Sequence, residues 1–219
     1  MNGNEFYEYL DKHTFELRMA CIEHPLVEGI CKGTLPVEKV WDFTEYNYYQ
    51  VIETCDRILN RARNAPTQEI RNLFIEHCTE ELGHPELALQ CIAELGGDAR
   101  AVLSRPPTFE LEGMTNWLWR LSQERPYIIN AANSMFCLEG ILEAHCIKMV
   151  QALSKHYGAT AKAIQYWEVH IEADEKHTQN AKRLLSTYAT TEAIQEECLR
   201  TAVRTCQYTK LAMDSYEHR

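Results

Sequence analysis

The chain lacks the marks of several protein classes. Its nine cysteines, at positions 21, 31, 55, 78, 91, 137, 146, 198 and 206, include no C-x-x-C pair. Neither a thiolate zinc site nor a disulfide framework is therefore signalled. No alternating β-branched run stands between hairpin turns, which argues against a sheet. Lys and Arg total 22 against 32 Asp and Glu, for a net charge of −10 and a pI near 5.4. With no basic stripe to release counterions, nucleic acid is not an expected partner. No apolar run reaches membrane-spanning length, so no membrane partner is expected either. The opening residues MNGNEFYEYLDKH carry acids where an export signal needs basic residues and an apolar stretch. A cytoplasmic location with reduced thiols, mostly acting as small buried hydrophobes, is expected.

What is present is helix. The 219 residues are 45% hydrophobic, enough for one sizeable core and at most two. Gly and Pro gather at Gly33 to Pro36, Pro66, Gly96–Gly97, Pro106–Pro107, Gly113, Pro126 and Gly158. Between them run segments with apolar residues at i, i+3 and i+4 and good helix formers. The spacing predicts helices near 3–23, 36–64, 67–95, 114–124, 127–156, 160–187 and 190–216. Residues 98–113 are the one long irregular connection. The reading is an all-α, single-domain bundle of about seven helices over residues 1–219.

The polar residues of this pattern are not scattered. EVHIEADEKH, residues 168–177, places His170, Asp174 and His177 at i, i+4 and i+7. At about 100° per residue they fall within roughly 60° of one another, in one stripe. EHCTEELGHPEL, residues 76–87, repeats the pattern with His77, Glu81 and His84. FCLEGILEAHC, residues 136–146, adds Glu139, Glu143 and His145 among apolar neighbours. A carboxylate on an apolar helix face must be paired or bind a metal. Mixed imidazole and carboxylate donors without thiolate suit iron or manganese better than zinc. Helical bundles build two-metal sites from inward Glu and Glu-x-x-His residues. Glu81 to His84 is a literal E-x-x-H, and Asp174 to His177 is its aspartate version.

The EELGHPEL run with its Pro85, the CLEG glutamate and the terminal H-x3-D-x2-H resemble the haem-oxygenase-like diiron oxidases. That superfamily includes relatives of pyrroloquinoline quinone synthase and thiaminase II. The resemblance covers about residues 36–185. It implies a haem-oxygenase-like bundle with two Fe ions held by Glu81, His84, Glu139, His170, Asp174 and His177, with Glu81 and Asp174 central to catalysis. It also implies O2 as co-substrate and oxidation of a small amino acid or carboxylic acid, by N-oxygenation, C–C cleavage, or nitrile or alkene formation. An external electron donor and a homodimeric assembly are further partners to expect. The resemblance gives His77 no ligand role, so His77 is expected to stay outside the ligand set.

Two other readings compete. A ferritin-like diiron protein would use Glu53, Glu81, His84, Glu143, Asp174 and His177, leaving His170 without a role. A metal-free thiaminase II relative or binding bundle would bring Cys137 into play. Tyr46, Tyr48 and Tyr49 form an aromatic stripe of the kind usually found in a core. Trp117, Trp119, Tyr127 and Phe136 are candidates to line an apolar pocket.

Overall fold

The computed structural model describes residues 1–219 and contains helices but no strand. The order is α1 (Gly3–Ile22), α2 (Pro25–Cys31), α3 (Val37–Val51), α4 (Thr54–Arg63), α5 (Gln68–Glu80), α6 (His84–Glu94), α7 (Ala99–Ser104), α8 (Phe109–Glu124) and α9 (Tyr127–Asn130). A π-helical segment (Ala131–Leu138) then leads without a break into α10 (Glu139–His156), followed by α11 (Ala161–Tyr188) and α12 (Glu192–Glu217). Local chemistry sets many of the boundaries. Asn2, Thr67, Asp98, Thr108, Thr160 and Thr191 each accept an amide hydrogen bond from the first turn of the helix they begin. Beyond the ends of α6 and α10, Gly96 and Gly158 adopt positive φ, as C-terminal stops do.

The all-α bundle expected from the sequence is therefore present, but it is more finely divided than seven helices. The expected helix 36–64 breaks at Ile52–Glu53. There the Gln50 carbonyl is taken by the Thr54 hydroxyl at 2.9 Å and by the Arg57 guanidinium. The expected helix 67–95 breaks at Glu81–Gly83, because Pro85 has no N–H to donate to Glu81 and Gly83 turns at φ +89°. Short α2 carries too few residues to show a period. The segment 98–113 is not an irregular connection: it holds α7 and the start of α8, with Gly113 inside a helix rather than ending one.

One connected cluster of 47 buried residues forms the core. Phe43 of α3 stacks on Trp167 of α11 with ring centroids 5.6 Å apart, and Tyr166 meets Trp167 edge-on. Helix α11 packs along α10 and against α6, α1 and the π segment, while α4 lies between α5 and α8. The α5–α6 joint, the start of α10 and the middle of α11 thus face one interior region, and α4 closes its side. No helix is long and apolar enough to cross a membrane.

The joint makes a local test. Gly83 holds a positive φ with open space around a would-be Cβ, so only backbone strain opposes a side chain. Gly83→Ala is expected to lower stability by about 1–2 kcal/mol. This would appear as a lower denaturant midpoint with an unchanged slope.

Candidate metal centre

Seven ionisable side chains meet in that interior region: His77 of α5, Glu81 and His84 at the joint, Glu139 opening α10, and His170, Asp174 and His177 of α11. Each is buried, none more than 8% exposed. The donor atoms of Glu81, His84 and His170 lie within 4.8 Å of one another, as do those of His77, Glu139 and His177. Glu81, Asp174 and His177 make a third such group, linking the first two. The imidazoles sit as two pairs across the helices. His84 and His170 have ring centroids 4.3 Å apart, and His77 and His177 are 3.7 Å apart.

Neighbouring groups fix how several of these side chains point. His170 Nδ1 donates to the Tyr166 carbonyl at 2.7 Å, which turns Nε2 inward. His177 Nε2 bonds Glu80 at 2.8 Å, which leaves Nδ1 facing Glu139 at 3.2 Å and Asp174 at 3.6 Å. A carboxylate or carbonyl behind an imidazole is the usual support for a metal-binding histidine. The π segment winds wider than an α-helix, so Ser134 sits beneath Glu139, five residues on, and its hydroxyl donates to Oε1 at 2.9 Å.

Burial divides the protonation states. It pushes the Glu81 carboxyl up, but the His77 and His84 imidazoles outweigh it and hold the group well below the usual carboxylate range. Glu139 behaves likewise: burial raises it, and His77 and His177 bring it down. Burial, helped by the neighbouring His84 and His177 imidazoles, pulls His170 down to about 4 against the attraction of Glu81. Asp174 is driven well up by burial and by the nearby Glu139 and Glu81 charges.

The donor set fits a metal. His77 Nδ1 and Nε2, Glu139 Oε2, His170 Nε2, both Asp174 oxygens and His177 Nδ1 are buried with no hydrogen-bond partner. Buried polar atoms of this kind normally have partners, and seven orphans in one cluster call for a shared one. Oxygen and imidazole donors without thiolate suit iron or manganese.

All six expected ligands are thus brought together. His77, which the sequence places on the same face but outside the expected ligand set, stands beside them. Its Nε2 lies 3.6 Å from both Glu81 and Glu139. The signal was the spacing itself, since His77 shares the H-x3-E-x2-H stripe. Glu80 and Ser134, which orient His177 and Glu139, carried no sequence signal. Of the two α10 carboxylates only Glu139 belongs here; Glu143 is half-exposed and raised by burial and by Glu175. Glu53 instead accepts from Trp119 Nε1 at 2.5 Å. His145 bonds the Cys21 carbonyl at 3.0 Å. Cys137 is buried against the Ala202 carbonyl and Cys206, with its thiol pushed well up by burial.

A cavity of about 60 Å³ adjoins the cluster. Its walls include Val51, Leu118, Leu138, Arg57 and Arg61 beside Glu81, Glu139, His170 and Asp174. Of the aromatic residues singled out in the sequence, Tyr46 lines this cavity, whereas Trp117, Trp119, Tyr127 and Phe136 do not.

Comparison with known proteins agrees with this picture. A family described as iron-containing redox enzymes matches residues 46–210. A Chlamydia pneumoniae protein named 4-aminobenzoate synthase is 24% identical over 185 residues, 82% of this chain and 81% of its own. A TenA homologue from Pseudomonas syringae pv. tomato superposes with a TM-score of 0.85 at 12% identity, covering 98% of this chain and 93% of that one. A domain of unknown function with a haem-oxygenase-like fold from Shewanella denitrificans gives 0.84 at 15% identity, covering 97% and 92%. At such identities these structures establish the haem-oxygenase-like fold and nothing more.

The orphaned donors generate a prediction. Without metal, α11 around the cluster carries unpartnered buried polar groups, and metal binding contributes ordering free energy. Amides of residues 165–180 are expected to exchange faster in metal-free than in iron-loaded protein. Equal protection in the two forms would contradict the assignment.

Proposed function

This chain belongs to the iron-containing redox enzymes, and from that membership we propose an O2-dependent oxidoreductase. In this reading it holds two iron ions per chain and oxidises a small amino acid or carboxylic acid. The observation that carries the reading is the cluster of seven buried, largely unpartnered imidazole and carboxylate donors. Glu81, His84 and His170 would hold one iron, and His77, Glu139 and His177 the other. Asp174 reaches the Glu81–His177 group that links them. When bound, such a pair supplies the electrons that activate O2.

The chain's own residues do the rest. The Tyr166 carbonyl and the Glu80 carboxylate orient the His170 and His177 rings, so that His170 Nε2 and His177 Nδ1, the latter once its proton is displaced by a metal, would face the ions. The Ser134 hydroxyl pins one oxygen of Glu139 and leaves the other free. The cavity would bring substrate against Glu81, Glu139, His170 and Asp174. A small aromatic carboxylate as product, as the name of the Chlamydia relative states for that protein, is in keeping with this substrate class.

The thiaminase-like reading shares its fold with the TenA homologue, but neither competing reading finds its residues in the cluster. The ferritin-like set needs Glu53 and Glu143, which stand outside the cluster. A thiaminase-like nucleophile needs an accessible, low-pKa thiol, and Cys137 is fully buried with its pKa raised.

Anaerobic Fe(II) loading followed by iron analysis and Mössbauer spectroscopy is expected to give two irons per chain, oxidised when O2 is admitted. A single mononuclear site, or tight zinc with no iron oxidation, would overturn the proposal. Asp174→Ala is expected to keep the helical circular dichroism while lowering O2-dependent oxidation by more than about 100-fold. His77→Ala is expected to lose iron from the pair rather than leave it intact, and a His77→Ala protein with two irons and full activity would remove His77 from the set.

A further inference from the structure

The cavity beside the cluster has a cationic wall that the metal ligands do not use. Helix α4 presents Arg57 and Arg61, one turn apart, to that cavity. Arg57 is 4% exposed and Arg61 3%. Arg57 Nη2 bonds the Gln50 carbonyl and, at 2.8 Å, the Thr54 hydroxyl. Its Nη1 makes no hydrogen bond, with only the Glu53 carboxylate nearby at 3.6 Å. Arg61 Nε and Nη1 have no hydrogen-bond partner at all.

This arrangement is costly without a further partner. Like charges one helical turn apart repel. Guanidinium nitrogens that have left water without finding an acceptor lose the full strength of their hydration. Glu81 and Glu139 offset part of the Arg61 charge from a distance, but that offset disappears when the two carboxylates bind cations. An anion placed between the arginines would satisfy the free N–H groups with the planar fork that guanidinium presents to carboxylates.

We propose that Arg57 and Arg61 form an anion-binding subsite that holds the carboxylate of a small monocarboxylate, with its apolar body along Val51, Leu118 and Leu138. Every acidic side chain lining the cavity, namely Glu81, Glu139 and Asp174, belongs to the metal cluster. A substrate ammonium group would meet no free counter-charge, so the subsite selects a plain carboxylate over a zwitterionic amino acid. The assignment narrows the substrate class proposed above and rests on that reading for its catalytic meaning; anion binding is measurable independently of turnover.

The test is anaerobic calorimetric titration of the iron-loaded protein with butyrate, butyramide and L-2-aminobutyrate, with iron content determined on the same samples. Butyrate is expected to bind about tenfold or more tighter than either of the others. Arg61→Gln is expected to weaken butyrate by about 10- to 100-fold without loss of iron, and Arg61→Lys by less. Arg57→Gln gives the same comparison should Arg61→Gln not fold. Equal binding of butyrate and butyramide, equal binding of butyrate and L-2-aminobutyrate, or wild-type butyrate affinity in both glutamine variants would overturn the subsite. Iron content scores the preceding proposal separately: lost butyrate selectivity at full iron occupancy counts against the arginine pair alone.

Discussion

Three carboxylates and four imidazoles withdrawn from water into the middle of a helical bundle set the terms for the rest of this structure. An isolated buried ion costs several kcal/mol even after relaxation, so such a cluster persists only if its members compensate one another or share a partner. Both devices are visible. Glu81 sits between His77 and His84, and Glu139 between His77 and His177, so opposite charge offsets burial at those two positions. At His170 and Asp174 burial outweighs the compensation that Glu81 and His177 offer, and each is pushed toward its neutral form. The orphaned atoms of these seven side chains all belong to groups able to bind a cation.

The backbone bends to meet this constraint where a regular helix cannot. A continuous α-helix carries its side chains in a stripe that faces one way. Helix α11 can contribute three donors as a plain helix because i, i+4 and i+7 fall on one side. Glu81 and His84 are delivered differently, from a joint where Pro85 removes a donor and Gly83 reverses the chain. His84 thereby becomes the first residue of a new helix, and its Nδ1 lies 3.0 Å from Glu81. Glu139 is delivered by a third device, the π segment, whose extra residue per turn brings Ser134 under the carboxylate. Two of the three irregularities in the expected long helices therefore lie at the cluster. The third, before α4, sets the arginine pair against the adjoining cavity.

The sequence was legible where periodicity and chemistry coincided. The helical class, most helix starts and the α11 stripe could be read directly, because caps and apolar spacing are local. The segments 36–64 and 67–95 read as unbroken, since the apolar pattern continues across each break while the backbone does not. Residues 98–113 looked irregular because Gly113 and the Pro106–Pro107 pair outweighed the short amphipathic runs of α7 and α8. The cluster was legible as residue types and spacings, but choosing between Glu139 and Glu143 required knowing which way α10 faces. His77 was legible by its spacing but not by its role. Its spacing announced it, yet the resemblance supplied no role for it, and only the approach of α11 puts its ring against His177. Glu80 and Ser134 were out of reach, because a group that supports another through one hydrogen bond leaves no pattern in the chain.

The fold by itself does not separate the chemistries considered for this chain, since a TenA homologue superposes over nearly its whole length. The side chains do. A thiol nucleophile works as thiolate in a partly open, electropositive setting. Cys137 instead has its sulfur packed beside the Cys206 sulfur at 3.9 Å and a burial-raised pKa. Two residues later in the same turn, Glu139 is held in its charged form with one oxygen unengaged. The π segment therefore turns its carboxylate toward the imidazoles and its thiol toward α12. The π segment thus buries the thiol and leaves the carboxylate beside the imidazoles, an arrangement in keeping with membership of the iron-containing redox enzymes.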